Sequence, residues 1–483
     1  MDLTCSNVIE IQKATLEEKG KIRRLFSLSN PKYSQYKRMF PNRFTPKNIP
    51  KTIPYYAENS GGIFVPGGSL HILEKHFDIK KIERPEGVSR VPSIKLTEPI
   101  EPREWQVEAL DIIKGMSSHG NGIFKVPTAG GKSIFGALII NELKTKTLII
   151  CETTIIFEQW IAIIEDLFKM KAGKIKAKDF KVEDITVAMS QTLSNRKKEM
   201  DEYKGEFGLV LVDECQMIGP SASITSDSVY NRMGVSVQRI PSPFKFGLTD
   251  AAMRSDGQGA SINFVIGPIL FEVPFDELEE FGAVIKPKLV VRKTELQIDP
   301  QKLKDGLYVE CVWDLIKDDA RLNLILKDLL KEEKEYNLVL ANNKTFLRML
   351  LGALLSKNPD LGSRVAIITG NTPKKMREKY LELARNGKVN FLFATSLADR
   401  GMDIPILNRL HLVFPSKFEG NNKQRLGRVV RSCLGKKEAI VYDYVDSEVS
   451  VFRRQFLNRN RYVYRERCTV DEENAKIIRG IRP

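Results

Sequence analysis

The 483-residue sequence predicts an α/β fold, with two parallel-sheet lobes in succession behind a small N-terminal α+β domain. Three observations predict it. From residue 122 short apolar runs alternate with stretches of helical spacing. The alternation lapses across the proline-interrupted "GPILFEVPFDELEEFGAVIKPKL" (267–289) and then starts again. Residues 1–95 lack it, and instead carry prolines at 31, 41, 46, 50, 54, 66, 85 and 92. Strand–helix–strand order implies a parallel sheet covered by helices, and two such blocks imply two lobes with a cleft between them. The expected boundaries are 1–95 for the N-terminal domain, 96–280 and 281–460 for the lobes, and 461–483 for a basic tail.

In chain order, residues 1–95 hold 17 Lys+Arg against 9 Asp+Glu, in a chain whose net charge is +15. Such an excess points to a polyanionic partner. Phe26, Tyr33, Tyr36, Phe40 and Phe44 lie among Lys32, Lys37, Arg38 and Arg43, a mixture suited to phosphates and exposed bases. Residues 1–95 are therefore read as a DNA-binding domain.

The first lobe is read from the strands "GIFKVPT", "TLIICET", "DITVAMSQ", "GLVLVDE" and "FKFGLTD", with the helices "SIFGALIINELK" and "TIIFEQWIAIIEDLFK" between them. The second is read from "NLVLANN", "RVAIITGN", "VNFLFATS", "LHLVFPS" and "AIVYDYV", with helices "KTFLRMLLGALLSK" and "PKKMREKYLELARNGK". Runs so rich in Val, Ile and Leu suit strands buried on both faces. A second basic run, "FRRQFLNRNRYVYRER", follows the last strand.

Composition narrows the function. The longest apolar runs are strand-sized, far below the ~20 residues of a membrane span, and "MDLTCSNVIEIQK" does not read as a signal peptide. A cytoplasmic protein is expected. Cys5, Cys151, Cys215, Cys311, Cys433 and Cys468 are scattered, and His71 and His76 lack cysteine partners, so neither a disulfide framework nor a zinc site is suggested.

The chemistry gathers in three places. "VPTAGGKS" ends in Gly131-Lys132-Ser133, the close of a phosphate-binding loop, although Val126 occupies the position where the common pattern has its first glycine. It lies at a strand-to-helix turn, where Thr128, Ala129, Gly130 and Gly131 can offer backbone to a nucleotide. There Lys132 reaches phosphates and Ser133 binds Mg²⁺. "LVLVDECQ" puts Asp213 and Glu214 at the end of an apolar strand, one able to hold Mg²⁺ and the other to deprotonate water. "QRLGRVVR" carries Arg428 and Arg431 three residues apart on one helix face, placed to stabilise charge developing on a transferred phosphoryl group.

The motifs "REWQ", "PTAGGKS", "TLIICETTIIFEQW", "AMSQTLSNR", "LVDECQ", "FGLTDAAMRSDG", "RVAIITGN", "ATSLADRGMDIP" and "QRLGRVVR", in that order, resemble superfamily 2 helicases across roughly residues 100–445. The stretch "ICETTIIFEQW" and the connector at 267–289 are most similar to the XPB and UvsW group. "IRRLFSLSN" and "GGIFVPGGSL" look like the N-terminal domains of phage UvsW-type branch-migration helicases.

The resemblance implies two RecA-like lobes, ATP and Mg²⁺ as cofactors, and a phosphate loop that tolerates Val126. It also implies adenine recognition by Gln106 with Arg103 alongside, and Asp213 with Glu214 as the hydrolytic pair. Gln216 would couple nucleotide state to the second lobe. Gly401 and Asp403 would lie near the ribose, Gln424 with Arg428 and Arg431 would form the arginine helix, and Thr395 would contact DNA phosphate. Two positions depart from the family: Thr249-Asp250-Ala251 stands where Ser/Thr-Ala-Thr is usual, and Gln216 stands where histidine is usual.

The expected activity is an ATP-dependent DNA helicase or translocase acting on forked or branched DNA in recombination, repair or replication restart. A monomer working beside recombination or replication proteins is expected, in the host cytoplasm if phage-encoded. The alternatives are an XPB-like duplex translocase associated with transcription, an RNA helicase, and a DNA-binding module that does not hydrolyse ATP.

Overall fold

The computed structural model describes the chain except residues 47–48, 85–88, 226–227, 251–256, 306, 396–403, 417–424 and 482–483, and for residues 222–229 the backbone alone is considered. The chain divides into two compact units, Met1–Pro127 with Gly131–Val273, and Thr128–Gly130 with Pro274–Pro483. Among the described residues no helix is long and apolar enough to cross a membrane.

The first unit is built on an eight-stranded sheet. Its order is Asp179–Lys181, Gly173–Lys176, Ile185–Met189, Thr147–Cys151, Leu209–Asp213, Phe244–Thr249, Gly120–Lys125 and Ile269–Glu272. Every pair is parallel except the Asp179–Lys181 edge. The central strands Thr147–Cys151, Leu209–Asp213 and Phe244–Thr249 are buried at every residue. That is why they read as unbroken apolar runs and not as alternating ones. The five strands expected in this lobe are present. Gly173–Lys176, Asp179–Lys181 and Ile269–Glu272 join them at the edges; the first two are short and polar, and the third is a four-residue run between prolines, so none gave a strong signal.

An N-terminal five-stranded sheet completes this unit, in the order Ala57–Glu58, Ile63–Pro66, Val8–Gln12, Asp2–Cys5 and Lys81–Glu83. Its core runs on into that of the larger sheet. Phe26 packs 5.1 Å from Phe264, and Tyr55 lies 5.0 Å from Tyr230 and 5.4 Å from Phe264, ring centre to ring centre. Polar ties close the seam: Ser69 Oγ donates to Phe264 O at 3.2 Å, Asn7 Nδ2 to Gln238 O at 2.9 Å, and Gln258 Nε2 to Ser29 O at 2.6 Å. At Gly68 a Cβ would come within 2.6 Å of the Gly267 nitrogen, so only glycine permits this approach of two backbones.

The second unit holds a six-stranded, wholly parallel sheet: Lys288–Lys293, Ile440–Val445, Arg409–Leu412, Asn337–Ala341, Phe391–Thr395 and Val365–Ile368. The helix Lys344–Lys357 covers it. Asn343 begins that helix, its side-chain oxygen accepting the Phe346 N–H at 2.9 Å. The C-terminal residues dock against the sheet edge, where Asn474 Oδ1 accepts the Val291 N–H at 2.7 Å and Asp471 pairs with Lys288 at 2.9 Å.

Part of the basic run 452–467 is structural. Arg459 is buried in a bidentate pair with Asp443 at 2.8 and 2.9 Å, and buried Arg467 lies 5.3 Å above the Phe275 ring. Opening such a pair from one side costs about 3–5 kcal/mol.

Candidate active site

In open parallel sheets ligands bind beyond the carboxyl ends of the strands. Leu209–Asp213, Phe244–Thr249 and Gly120–Lys125 are neighbours, and their carboxyl ends bring Asp213, Thr249 and the loop after Lys125 side by side. Val126 is fully buried and its N–H donates to Thr249 O at 2.8 Å, so it prolongs the strand into the core. The turn proper begins after it. Ala129 and Gly131 take φ of 73° and 92°, and Gly131 is the residue from which the helix Lys132–Leu143 starts. A helix start of this kind presents free backbone N–H groups to an anion.

Lys132 stands 3.5 Å from Glu214, with its side chain 14% exposed. Burial works against its charge, but Glu214, Asp250 and Asp213 outweigh it and hold the ammonium above its ordinary value. Asp213 is buried, and desolvation together with the neighbouring Glu214 charge pushes its carboxyl up to about 6. Lys132 and two hydrogen bonds pull the other way: Trp160 Nε1 donates to Asp213 Oδ2 at 2.8 Å, and the Glu214 N–H donates to Asp213 Oδ1 at 2.9 Å. Gln216 Nε2 donates to Glu214 Oε2, while its Oε1 accepts the Thr249 hydroxyl at 2.6 Å. The amide that replaces histidine thus uses both its donor and its acceptor.

Gln106 is buried beside the loop. Its Oε1 accepts the Arg103 N–H at 2.9 Å and its Nε2 donates to Gly131 O at 3.4 Å, while Arg103 is exposed.

Trp160 and the Thr249 hydroxyl are the contributors that residue patterns did not single out as part of the site. Trp160 sits on the helix Thr154–Ile163, and it reaches Asp213 because Gly136 leaves room: a Cβ there would lie 2.5 Å from the indole. A buried tryptophan N–H needs an acceptor, which is the one clue the sequence offered.

In the second unit residues 425–429 are helical. Arg428 and Arg431 are half-buried, but they do not share a helix face as their spacing predicts: Arg428 is helical, whereas Arg431 lies two residues past the helix, bridged to Val284. Arg425 is buried and structural, with its guanidinium 3.2 Å from both Ser416 Oγ and Asn342 Oδ1. Two more buried arginines fix the same stretch, Arg321 donating to Val413 O and Arg459 to Ser416 O, each at 3.0 Å. Thr395 is buried at the end of its strand, and its hydroxyl has no hydrogen-bond partner among the described residues. Gly401, Asp403, Gln424 and Ala251 lie outside the described residues.

Two family models match: "Type III restriction enzyme, res subunit" over residues 99–250, and "Helicase conserved C-terminal domain" over residues 320–433. "DNA 3'-5' helicase XPB" of Kineococcus radiotolerans is 24% identical over 75% of this chain and 64% of its own length, so the chain spans just under two thirds of that relative. "DNA 3'-5' translocase XPB2" of Sulfurisphaera tokodaii is 24% identical over 80% of this chain and 91% of its own. Among solved structures, Saccharomyces cerevisiae Dbp5 bound to RNA and ADP BeF3 aligns at a TM-score of 0.55 and 13% identity, covering 79% of this chain and 94% of that one. T4 UvsW aligns over 98% of this chain and 99% of its own, at 18% identity and a TM-score of 0.40. The Dbp5 likeness bears on fold alone, and it agrees with two RecA-like parallel sheets. The first family model spans the loop and the Asp213–Glu214 strand, the second ends just past the arginine helix, and with XPB relatives matching three quarters of the sequence the chain belongs to the superfamily 2 helicases.

Proposed function

We propose that the chain is an ATP-dependent DNA helicase or translocase that acts on forked or branched DNA. The observation that carries the ATPase reading is the linked set Lys132–Glu214–Gln216–Thr249, with Asp213 fixed by Trp160, at the carboxyl ends of three adjacent strands. Thr128, Ala129, Gly130 and Gly131 would wrap the phosphates with backbone, and Gln106 with Arg103 would receive the adenine. Phosphate oxygens would take Lys132 away from Glu214, leaving that carboxylate to accept the proton of the attacking water as the γ-phosphoryl group leaves ADP. Ser133 and Asp213 would hold Mg²⁺, which neutralises phosphate charge when bound; two protein ligands suit an ion that shares its shell with phosphates and water. Gly401, Asp403 and Gln424 would serve the ribose side. Arg428 and Arg431 would stabilise the charge that develops on the phosphoryl oxygens, and Thr395 would contact DNA phosphate.

The preference for branched DNA rests on the N-terminal region. Between Lys19 and Ala57 the sequence has ten Lys+Arg and no Asp or Glu. The helix Pro31–Met39 within it has no buried residue, and Phe44 beyond it is 99% exposed. A second reading, a duplex translocase, draws support from the relative named a DNA 3'-5' translocase. A monomer in the cytoplasm, meeting recombination or replication proteins on DNA, completes the proposal.

ATP hydrolysis measured with fork, Holliday junction, linear duplex, single-stranded DNA and RNA as separate activators decides between them. Stimulation by forks and junctions well above linear duplex is expected. Equal stimulation by plain duplex selects the second reading, and preference for RNA overturns both.

A further inference from the structure

Lys436 lies beyond the arginine helix, where Gly435, at φ 85°, turns the chain back. Its ammonium meets four backbone carbonyls: Leu407 O at 2.6 Å, Val429 O at 2.7 Å, Arg431 O at 2.8 Å and Pro405 O at 3.1 Å. Val429 is the last residue of the arginine helix, where helix carbonyls are left without partners and a cation is favoured, and Arg431 lies two residues beyond it. Pro405 and Leu407 follow Asp403 by two and four residues. One charge, with three N–H donors, thus ties the carbonyl end of the arginine helix to the chain just after the segment assigned to the ribose side. Among the described residues the cluster contains no carboxylate, so the contact is a bundle of backbone dipoles around a cation.

We propose that Lys436 is a positioning residue for Arg428 and Arg431. Through its four carbonyls it makes the arginine segment and the 405–407 segment move as one body, so that both ends of a bound nucleotide are met together. The inference rests on the reading of Arg428 and Arg431 as groups that act on the phosphates. It goes beyond that reading, because it names what holds them and which other segment they are held to. A neutral side chain of similar length would leave four carbonyls competing for water, and the arginines would lose a fixed base. Misplacement of a catalytic group by about 1 Å costs on the order of 100-fold in rate.

The test uses the full chain and its DNA-stimulated ATPase, with kcat, KM for ATP and DNA affinity measured separately. Lys436→Met is expected to lower kcat by about 10- to 100-fold while KM and DNA affinity stay within about threefold. Combined with Arg428→Ala and Arg431→Ala together, it should lower kcat no further than those two substitutions alone, because a residue that acts through the two arginines then has nothing left to position. In Lys436→Ala, added propylammonium should restore turnover that it does not enhance in the unsubstituted chain.

Full kcat in Lys436→Met overturns the proposal, and so does a further loss when Lys436→Met is added to Arg428→Ala with Arg431→Ala. If Lys436→Met does not fold, the Lys436→Ala pair with and without propylammonium decides, and absence of recovery counts against the proposal. If Arg428→Ala and Arg431→Ala each keep full kcat, the arginine reading itself has failed, a result separable from failure at Lys436.

Discussion

Glu214 holds a backbone conformation that non-glycine residues seldom take, with φ of 55°. Such strain costs about 1–3 kcal/mol and persists where surrounding contacts fix it. Here the contacts are its N–H on Asp213, its carboxylate on Gln216 and Lys132, and Gln216 held in turn by Thr249. On the proposed mechanism Glu214→Gln should keep ATP binding and cut turnover by about 100-fold or more, the usual worth of a general base. Thr249→Val should leave ATP affinity nearly unchanged and lower kcat by about tenfold, with Thr249→Ser restoring it, because the hydroxyl acts by orienting Gln216. Single-turnover kinetics with separate measurement of ATP binding checks both. Native turnover in Glu214→Gln would falsify its assignment as the base. The acidic pair and the lysine were legible because their spacing to strand and turn is local. The Gln216–Thr249 contact was not, since it joins residues 33 apart whose meeting depends on the order of strands in the sheet.

At the level of elements, apolar runs announced the strands, but polar residues inside them announced nothing. His411 lies mid-strand in Arg409–Leu412, fully buried, stacked flat on Tyr442 at 4.6 Å, with Nε2 3.0 Å from Asn337 Oδ1. Burial, with Arg409 nearby, pulls its pKa down to about 3 from an ordinary 6.5. The folded form therefore excludes a proton that the unfolded chain binds. This stability is complete above pH 6.5 and is lost as pH falls from there towards 3, by up to about 4 kcal/mol. Pulse proteolysis in urea, following fragments from residues 285–480, should show the second unit weakening between pH 7 and 5. In His411→Gln that slope should flatten, and an unchanged slope would move the effect to other groups. The basic run near 452–467 teaches the same lesson in reverse. A row of arginines reads as a surface, yet Arg459 and Arg467 are buried, because Asp443 and Phe275 come from distant sequence to meet them.

For the molecule as a whole, the N-terminal sheet and the first lobe share a core, so deleting residues 1–95 would uncover Tyr230, Phe264, Val265 and Ile266. Proline density and charge marked the region as different in kind, but they could not show that Phe26 points inward at 0% exposure while Phe44 points out. That division of the aromatics shapes the test of DNA preference. Tyr36 packs at a tilt, 5.2 Å from Phe40, Arg43 lies 5.1 Å above the Phe40 ring, and Lys37 Nζ and the Tyr36 hydroxyl donate to Arg43 O and Phe44 O at 2.9 and 3.3 Å. These contacts brace an exposed ring inside a basic field, an arrangement suited to stacking on the end base pair where a duplex opens. Base–aromatic stacking is worth about 1–3 kcal/mol, so Phe40→Ala with Phe44→Ala should lower the fork-over-duplex preference by about 5- to 100-fold and leave stimulation by single-stranded DNA intact. Arg38→Ser with Arg43→Ser should act differently, weakening every DNA alike and flattening the salt dependence by about one unit of slope per lost phosphate contact. Binding titrations across salt on fork and linear duplex separate the two effects. If the double phenylalanine variant keeps its full preference for forks, the branch specificity does not reside in residues 36–44.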